Sequence, residues 1–426
     1  MRTTTVRVVC ALAAALLAAT GAPAAQAAPA SASTPAPAAG DGDPVLVNVG
    51  PDGAPADDWS EPLGLSADGR YALFTSLASN LVAGDTNRLY DVFVRDLWTR
   101  RTERVSVADD GSQLDGSSSQ AAISADGRYV AFSSDAAGAV PGNAGGRTDV
   151  YVRDRRTGRT ELITAGSGAG NSVSPAISAD GRHVAYSSDR ADLAPGAGAG
   201  TSNVYLTDRR AGTTRLVTAG RGGAPADGGS VEPSLSADGR TVAFRSKATN
   251  LLPPAPTALK PPPTRQLFPL YVYDARTGRI EGASTDGSGA LRDAAGQGRL
   301  SPDGRYALFR VFQPDQGATR VALHARDLRT GTVTEVAPAG TRPAAVTADD
   351  RWVYFASDDA ALVPDDTNGA ADLFRRDLRT GRTERVAEAV GPASTAPAVD
   401  AFGTTVLYGA LDGTRADVLV RRLPPR

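Results

Sequence analysis

The chain carries one cysteine in 426 residues, Cys10, set in the apolar run "VVCALAAALLAAT" with no lipobox residues ahead of it. No disulfide framework can form. The fold must therefore be held by an apolar core and backbone ladders, as in a large domain and not a stapled miniature scaffold. Lysine is nearly missing too: Lys247 and Lys260 are the only two, and the remaining basic charge is arginine, a bias read as GC-rich coding. No Lys/Arg cluster interleaved with aromatics occurs, and the net charge of −2 grows more negative if Arg2 and Arg7 are lost with a signal. That composition excludes a nucleic-acid surface, which needs concentrated cation. There is no "GxSxG", so the usual serine elbow is absent. Beyond the amino-terminal run, no stretch is apolar enough to cross a bilayer, and no membrane span is expected after signal cleavage.

What is present begins with an export layout. Arg2 and Arg7 precede the apolar run, and "AQA" at Ala25 to Ala27 offers a small-residue cleavage site, so residues 1–27 read as a secretory signal and the protein as extracellular. Residues 28–43, "APASASTPAPAAGDGD", have almost nothing to bury and read as a flexible tether. Residues 44–426 then read as one domain.

That domain is repetitive. "LSADGRY" at Leu65 to Tyr71 recurs as "ISADGRY" from Ile123, "ISADGRH" from Ile177, "LSADGRT" from Leu235 and "LSPDGRY" from Leu300, with degraded copies "VTADDRW" from Val346 and "VDAFGTT" from Val399. Each unit has a short strand A, an Asp-Gly turn, a strand B such as "YVAFSS" and a strand C such as "DVYVRD". A second turn such as "RRTG" leads to strand D. Strand B is apolar on both faces, as expected for a strand sandwiched between neighbouring sheets. The second turn carries Gly158, Gly212, Gly278, Gly331 or Gly381, whereas unit one has Arg100, a substitution worth about 1 kcal/mol if positive φ is needed there. Four antiparallel strands per unit and no helical pattern make a blade, which must stack radially into an all-β propeller. The seventh unit supplies three strands. "VLVNV", Val45 to Val49, resembles a strand D without a unit of its own, which predicts seven blades closed by an amino-terminal strand in the last; six or eight blades are the alternatives. The short turns then share one face of the disc, and the long B-to-C and D-to-A loops the other, where binding is expected.

The motifs "SADGR", "SPDGR" and "DVFVRD…TGRTERV" resemble the TolB-type, WD40-like propeller repeats of exported bacterial proteins over nearly all of residues 44–426. The resemblance implies a secreted or periplasmic propeller that serves as a protein-binding platform. The α/β domain that precedes the propeller in TolB is not expected here, nor is the carboxy-terminal peptidase domain of related propellers.

Candidate site residues are few. His183 and His324 are too few for the His-rich zinc or manganese sites of propeller lyases and read as structural. The recurring Asp68, Asp126, Asp180, Asp238 and Asp303 read as turn residues accepting backbone N–H bonds. Asp135, Asp189 and Asp358 end strand B on the long-loop face and are the candidate binding residues; no catalytic residue is assigned. "GDTNRLYD" and "DDTNGAAD" place Asp85, Asn87 and Asp91, and Asp366, Asn368 and Asp372, at matching spacing. Oxygen ligands at alternate loop positions suit calcium, although the bidentate Glu of an EF-hand is missing and Asx turns explain the residues as well, so no cofactor is expected. The expected function is a secreted, monomeric, non-enzymatic scaffold for a protein or cell-surface ligand. The alternative is an extracellular hydrolase or lyase acting on polysaccharide or peptide through loop-face carboxylates.

Overall fold

The computed structural model describes residues 42–424 apart from 142, 144–145, 254–266, 287–288, 316–317, 339–343, 389, 391–395 and 413–414. The segments expected as signal and, for the most part, as tether lie outside the described residues. Twenty-eight strands form seven four-stranded antiparallel sheets. Blade one is Ser60–Leu65, Tyr71–Ser76, Asp91–Asp96 and Arg101–Arg104, and the order A-B-C-D repeats through blade six. Blade seven combines Ala398–Val399, Thr405–Asp412 and Arg415–Arg422 with Val45–Leu46 on its outer edge. The fold is a seven-bladed β-propeller.

Closure is tight. Val45 pairs with Val420 and Leu46 with Leu419, and the Val47 amide donates to the Val418 carbonyl at 2.8 Å. Asn48 extends the contact with its side chain, donating to Asp417 Oδ1 at 2.9 Å and accepting from the Val418 amide at 2.9 Å. It is fully buried, so both ends of its amide need these partners.

Strands B and C form each blade's core. Their facing rings stack in six blades, as Phe74 on Phe93 at 5.6 Å, Phe132 on Tyr151 at 5.5 Å and Tyr186 on Tyr205 at 5.7 Å. His324 occupies this slot in blade five, 5.6 Å from Phe309, which gives it the expected structural place. Stacked pairs add to the area they bury.

The "SADGR" turn differs from a two-residue hairpin. Its glycine has positive φ and its aspartate does not, as in Gly127 at φ 70°. Glycine is required twice over at that position, because a Cβ would lie 2.2 Å from the ring of Tyr71 in the preceding blade. The aspartate accepts: Ser66 Oγ donates to Asp68 Oδ1 at 2.6 Å, the Arg70 amide donates to the same oxygen at 3.0 Å, and Ser66 Oγ accepts from the Tyr71 amide at 2.8 Å. The alanine of each turn reaches the next blade: Ala67 donates to Ala125 at 2.8 Å, Ala125 to Ala179 at 3.0 Å, Ala179 to Ala237 at 2.8 Å and Ala237 to Pro302 at 2.7 Å. Ala348 donates to Ala401 and Ala401 back to Ala67, so a girdle of backbone bonds circles the inner rim with one gap, where Pro302 has no N–H.

The B-to-C connection is long in five blades. In blades five and seven strands B and C run on instead, to Asp315 opposite Ala318 and Asp412 opposite Arg415, which leaves two residues between the strands.

Candidate functional site

On the long-loop face, Asp135 Oδ1 accepts from the Ser117 amide at 2.6 Å and Asp189 Oδ1 from the Asn171 amide at 2.5 Å. Both carboxylates fasten the start of their own blade's strand A. Asp358 is exposed. The three belong to blades two, three and six, each on its own loop, and the structure does not assemble them into a pair.

The two Asp-Thr-Asn loops each hold a guanidinium. Arg104 Nη1 lies 3.3 Å from Asp91 and 3.5 Å from Asp85, with Ser106 Oγ 2.6 Å from Asp91 and Gln113 Nε2 3.0 Å from Asp85. Asn87 makes an Asx turn, accepting from the Leu89 amide at 3.0 Å. Burial pushes the Asp91 carboxyl up against the pull of Ser106 and Arg104. In blade six Arg385 lies 3.3 Å from Asp372 and 3.2 Å from Asp365, while Asn368 donates to Asp372 at 2.9 Å. Asp366 is buried beside them, and neither carboxylate oxygen has a hydrogen-bond partner among the described residues. Among the described residues, no group of three or more His, Cys, Asp or Glu is placed to hold a metal ion. Arg104 and Arg385 each follow their strand-C aspartate at the same spacing within "RTER", but that spacing does not by itself say that the side chains meet.

Sequence reasoning missed Arg190. It is fully buried between blades two and three, forking onto Asp192 at 2.9 and 3.1 Å and reaching Asp149 at 3.2 Å. Nothing periodic announces it, since it stands in a loop.

The turn face is built from arginine forks. Arg128 donates to both oxygens of Asp154 at 2.9 and 2.6 Å, and Arg182 to both of Asp208 at 2.9 and 2.5 Å. These guanidinia hold Asp154 and Asp208 far below the ordinary carboxylate range. A second arginine bridges blades: Arg155 stands 4.4 Å over the Tyr71 ring and pairs with Glu103, and Arg209 stands 4.8 Å over Tyr129 and pairs with Glu161 at 2.6 Å. Between blades three and four no such bridge forms among the described residues, and a cleft of about 370 Å³ opens there, lined by Arg182, His183, Asp208, Arg215, Arg240 and Arg276. Burial lowers the His183 imidazole against the pull of Asp208. A second cavity of about 570 Å³, lined in part by Asp286, Arg292, Arg326 and Glu335, lies between blades four and five. The turn face also carries Trp98, 61% exposed, and Phe402, 77% exposed, the two largest hydrophobic side chains so exposed among the described residues.

No family model matches the chain, and no curated protein matches it. Among solved structures, oligogalacturonate lyase in complex with manganese matches 90% of this chain and 98% of its own at 12% identity, with a TM-score of 0.56. Oligogalacturonate lyase from Vibrio parahaemolyticus matches 90% and 99% at 12% identity, with a TM-score of 0.57. TolB from Acinetobacter baumannii is 14% identical over 84% of this chain and 82% of its own, with a TM-score of 0.40. What is shared at these identities is the propeller fold, which hosts many unrelated activities. The chain is thus a seven-bladed propeller closed by its own amino-terminal strand, with an arginine-rich turn face that opens into a cleft between blades three and four.

Proposed function

We propose that the protein is an exported, non-enzymatic binding scaffold that engages a protein or cell-surface partner through one end of the disc. The observation that carries this reading is the exposure of Phe402 and of Trp98, whose ring has the Arg70 guanidinium 4.7 Å from its centre, on one face, where an exposed aromatic side chain is a ready anchor for a partner. The long-loop face was the expected docking side. The exposed aromatics favour the turn face, while Asp135 and Asp189 on the loop face are engaged in fastening backbone.

The test is capture from culture fluid and cell surface with the native protein and with a Trp98→Ser, Phe402→Ser variant. A ligand retained by the native protein and lost by the variant supports the reading. A ligand held equally by both returns the docking site to the loop face.

A second reading is an extracellular lyase or hydrolase, favoured by one feature. Arg245, which pairs with Glu232 at 2.8 Å, and Arg310 stand at the same strand-B position of adjacent blades four and five, and Arg299 lies on the innermost strand of blade five; an acidic polysaccharide would compete for this partly paired cationic group. Incubation with polyuronates, followed by detection of unsaturated or reducing ends, separates the two readings.

A further inference from the structure

Three positions meet on the turn face wherever two blades join: the first residue of strand B, the strand-D residue opposite the fourth residue of strand C, and the residue that follows strand C of the next blade. Between blades one and two they are Tyr71, Glu103 and Arg155, with Glu103 opposite Val94. Between two and three they are Tyr129, Glu161 and Arg209, with Glu161 opposite Val152. In both, the arginine closes the joint by stacking on the ring and pairing with the acid. In blades one, five, six and seven a leucine follows strand C instead, and Leu97, Leu328, Leu378 and Leu423 each pack on an apolar core cluster.

Between blades three and four all three positions change together. They are His183, Arg215 and Ala275, with Arg215 opposite Leu206. The small side chain leaves the joint open, and the acid has become a base. Arg215 Nη1 donates to the Ala275 carbonyl at 2.9 Å, and no carboxylate pairs with Arg215 among the described residues. His183 packs against Gly239 of the next blade as Tyr71 packs against Gly127, while its Nδ1 is buried without a hydrogen-bond partner among the described residues. The charged groups around the cleft are Arg182, Arg215, Arg240 and Arg276 against Asp208, Asp180 and Asp238. Asp208 is taken by the Arg182 fork, and Asp180 and Asp238 are taken by the serine and backbone N–H of their own turns. What remains is net cationic.

We propose that this cleft is a carboxylate-binding site in which the Arg215 guanidinium receives the anion and the His183 ring forms the flat wall on which the neighbouring joints stack a guanidinium. The joint is the charge-reversed image of its neighbours, with its third member supplied from outside the chain. The carboxylate is that of a free small acid or of an acidic side chain on a docked protein; the second source rests on the turn-face reading above. An arginine fork recognises either through the same two parallel N–H bonds.

The chain has two histidines, so the ring resonances of His183 can be followed singly by NMR. Titrating the intact protein with N-acetylglutamate amide, with its uncharged glutamine counterpart, and with a glutamate-bearing tetrapeptide should shift the His183 signals and raise its apparent pKa for the acids alone. A larger response to the tetrapeptide assigns a protein source, and an equal or smaller one assigns the free acid. Arg215→Gln should weaken binding about tenfold or more, the scale of a lost charge-assisted hydrogen bond. The double variant Arg215→Glu, Ala275→Arg rebuilds the joint of the preceding blades and should abolish binding while keeping or raising Tm. No saturable shift with either acid, equal shifts with the glutamine analogue, or undiminished binding in both variants would overturn the proposal. None of these outcomes touches the capture experiment with Trp98 and Phe402, so the two readings fail separately.

Discussion

Asp350 stands where other units have the turn glycine, and it shows what a single side chain can do against its own fold. It is held at φ 56°, where an L-residue is strained, and burial together with the facing Asp303 carboxylate pushes its pKa up to about 6. The folded chain therefore holds a proton that the unfolded chain, near its ordinary 3.8, has released. Stability should fall as pH rises from about 4 to about 6, by roughly 1 kcal/mol after solvent screening of a half-exposed group. Asp350→Gly should flatten that slope and raise Tm at pH 7; thermal melts across the range check both, and an unchanged slope would contradict the coupling. Arg190 is the opposite case, a charge the fold cannot spare. Arg190→Ala should destabilise by about 3 kcal/mol by leaving Asp149 and Asp192 short of their partner, and Arg190→Lys should restore little, because one ammonium cannot reproduce the fork. Denaturant midpoints measure the difference.

At the scale of the element, the repeat explains which turns form and the exceptions explain how well. The cost of Arg100 in the second turn of blade one depended on whether that position needs positive φ, and it does, at 58°. Arg100→Gly should therefore stabilise by about 0.5 to 1 kcal/mol, read as a shift in denaturant midpoint. The girdle of alanine amides was not foreseen. Its logic lies in the same motif: the turn's alanine is the one residue whose N–H points to the neighbouring blade and not into its own ladder. Pro302 interrupts it once. In Pro302→Ala, the new bond and the added freedom of the unfolded chain should nearly cancel, leaving stability within about 1 kcal/mol. Amide exchange is the discriminating measurement, since the new residue 302 amide should be protected as well as that of Ala237, and rapid exchange would show that the girdle does not close there.

At the scale of the whole molecule, the ring is fastened where Val45–Leu46 joins blade seven, and Asn48 ties that joint through three hydrogen bonds, two to the carboxy-terminal strand and one to Ser60. Deleting residues 44–50 should abolish a single cooperative melt or drive association through the exposed edge, as light scattering would reveal. Blade count, strand order, closure and the division into two faces were legible in the sequence, because each follows from a local period and from the Asp-Gly turns that set it. So was the structural role of the turn aspartates and of His324. The partners of the acids were not legible: Arg104, Arg385 and Arg190 reach Asp91, Asp372 and Asp149 from a later strand or loop, and no local pattern encodes that meeting. The cleft lay equally out of sight. His183, Arg215 and Ala275 are unremarkable substitutions in separate repeats, and only radial stacking brings them to one joint, where the loss of one arginine's volume leaves a space and the reversal of one charge gives it a sign. Sequence alone determined the ring, since a repeat that cannot bury its own faces must stack; tertiary structure alone decided which joint stays open, since that depends on side chains from neighbouring blades failing to meet.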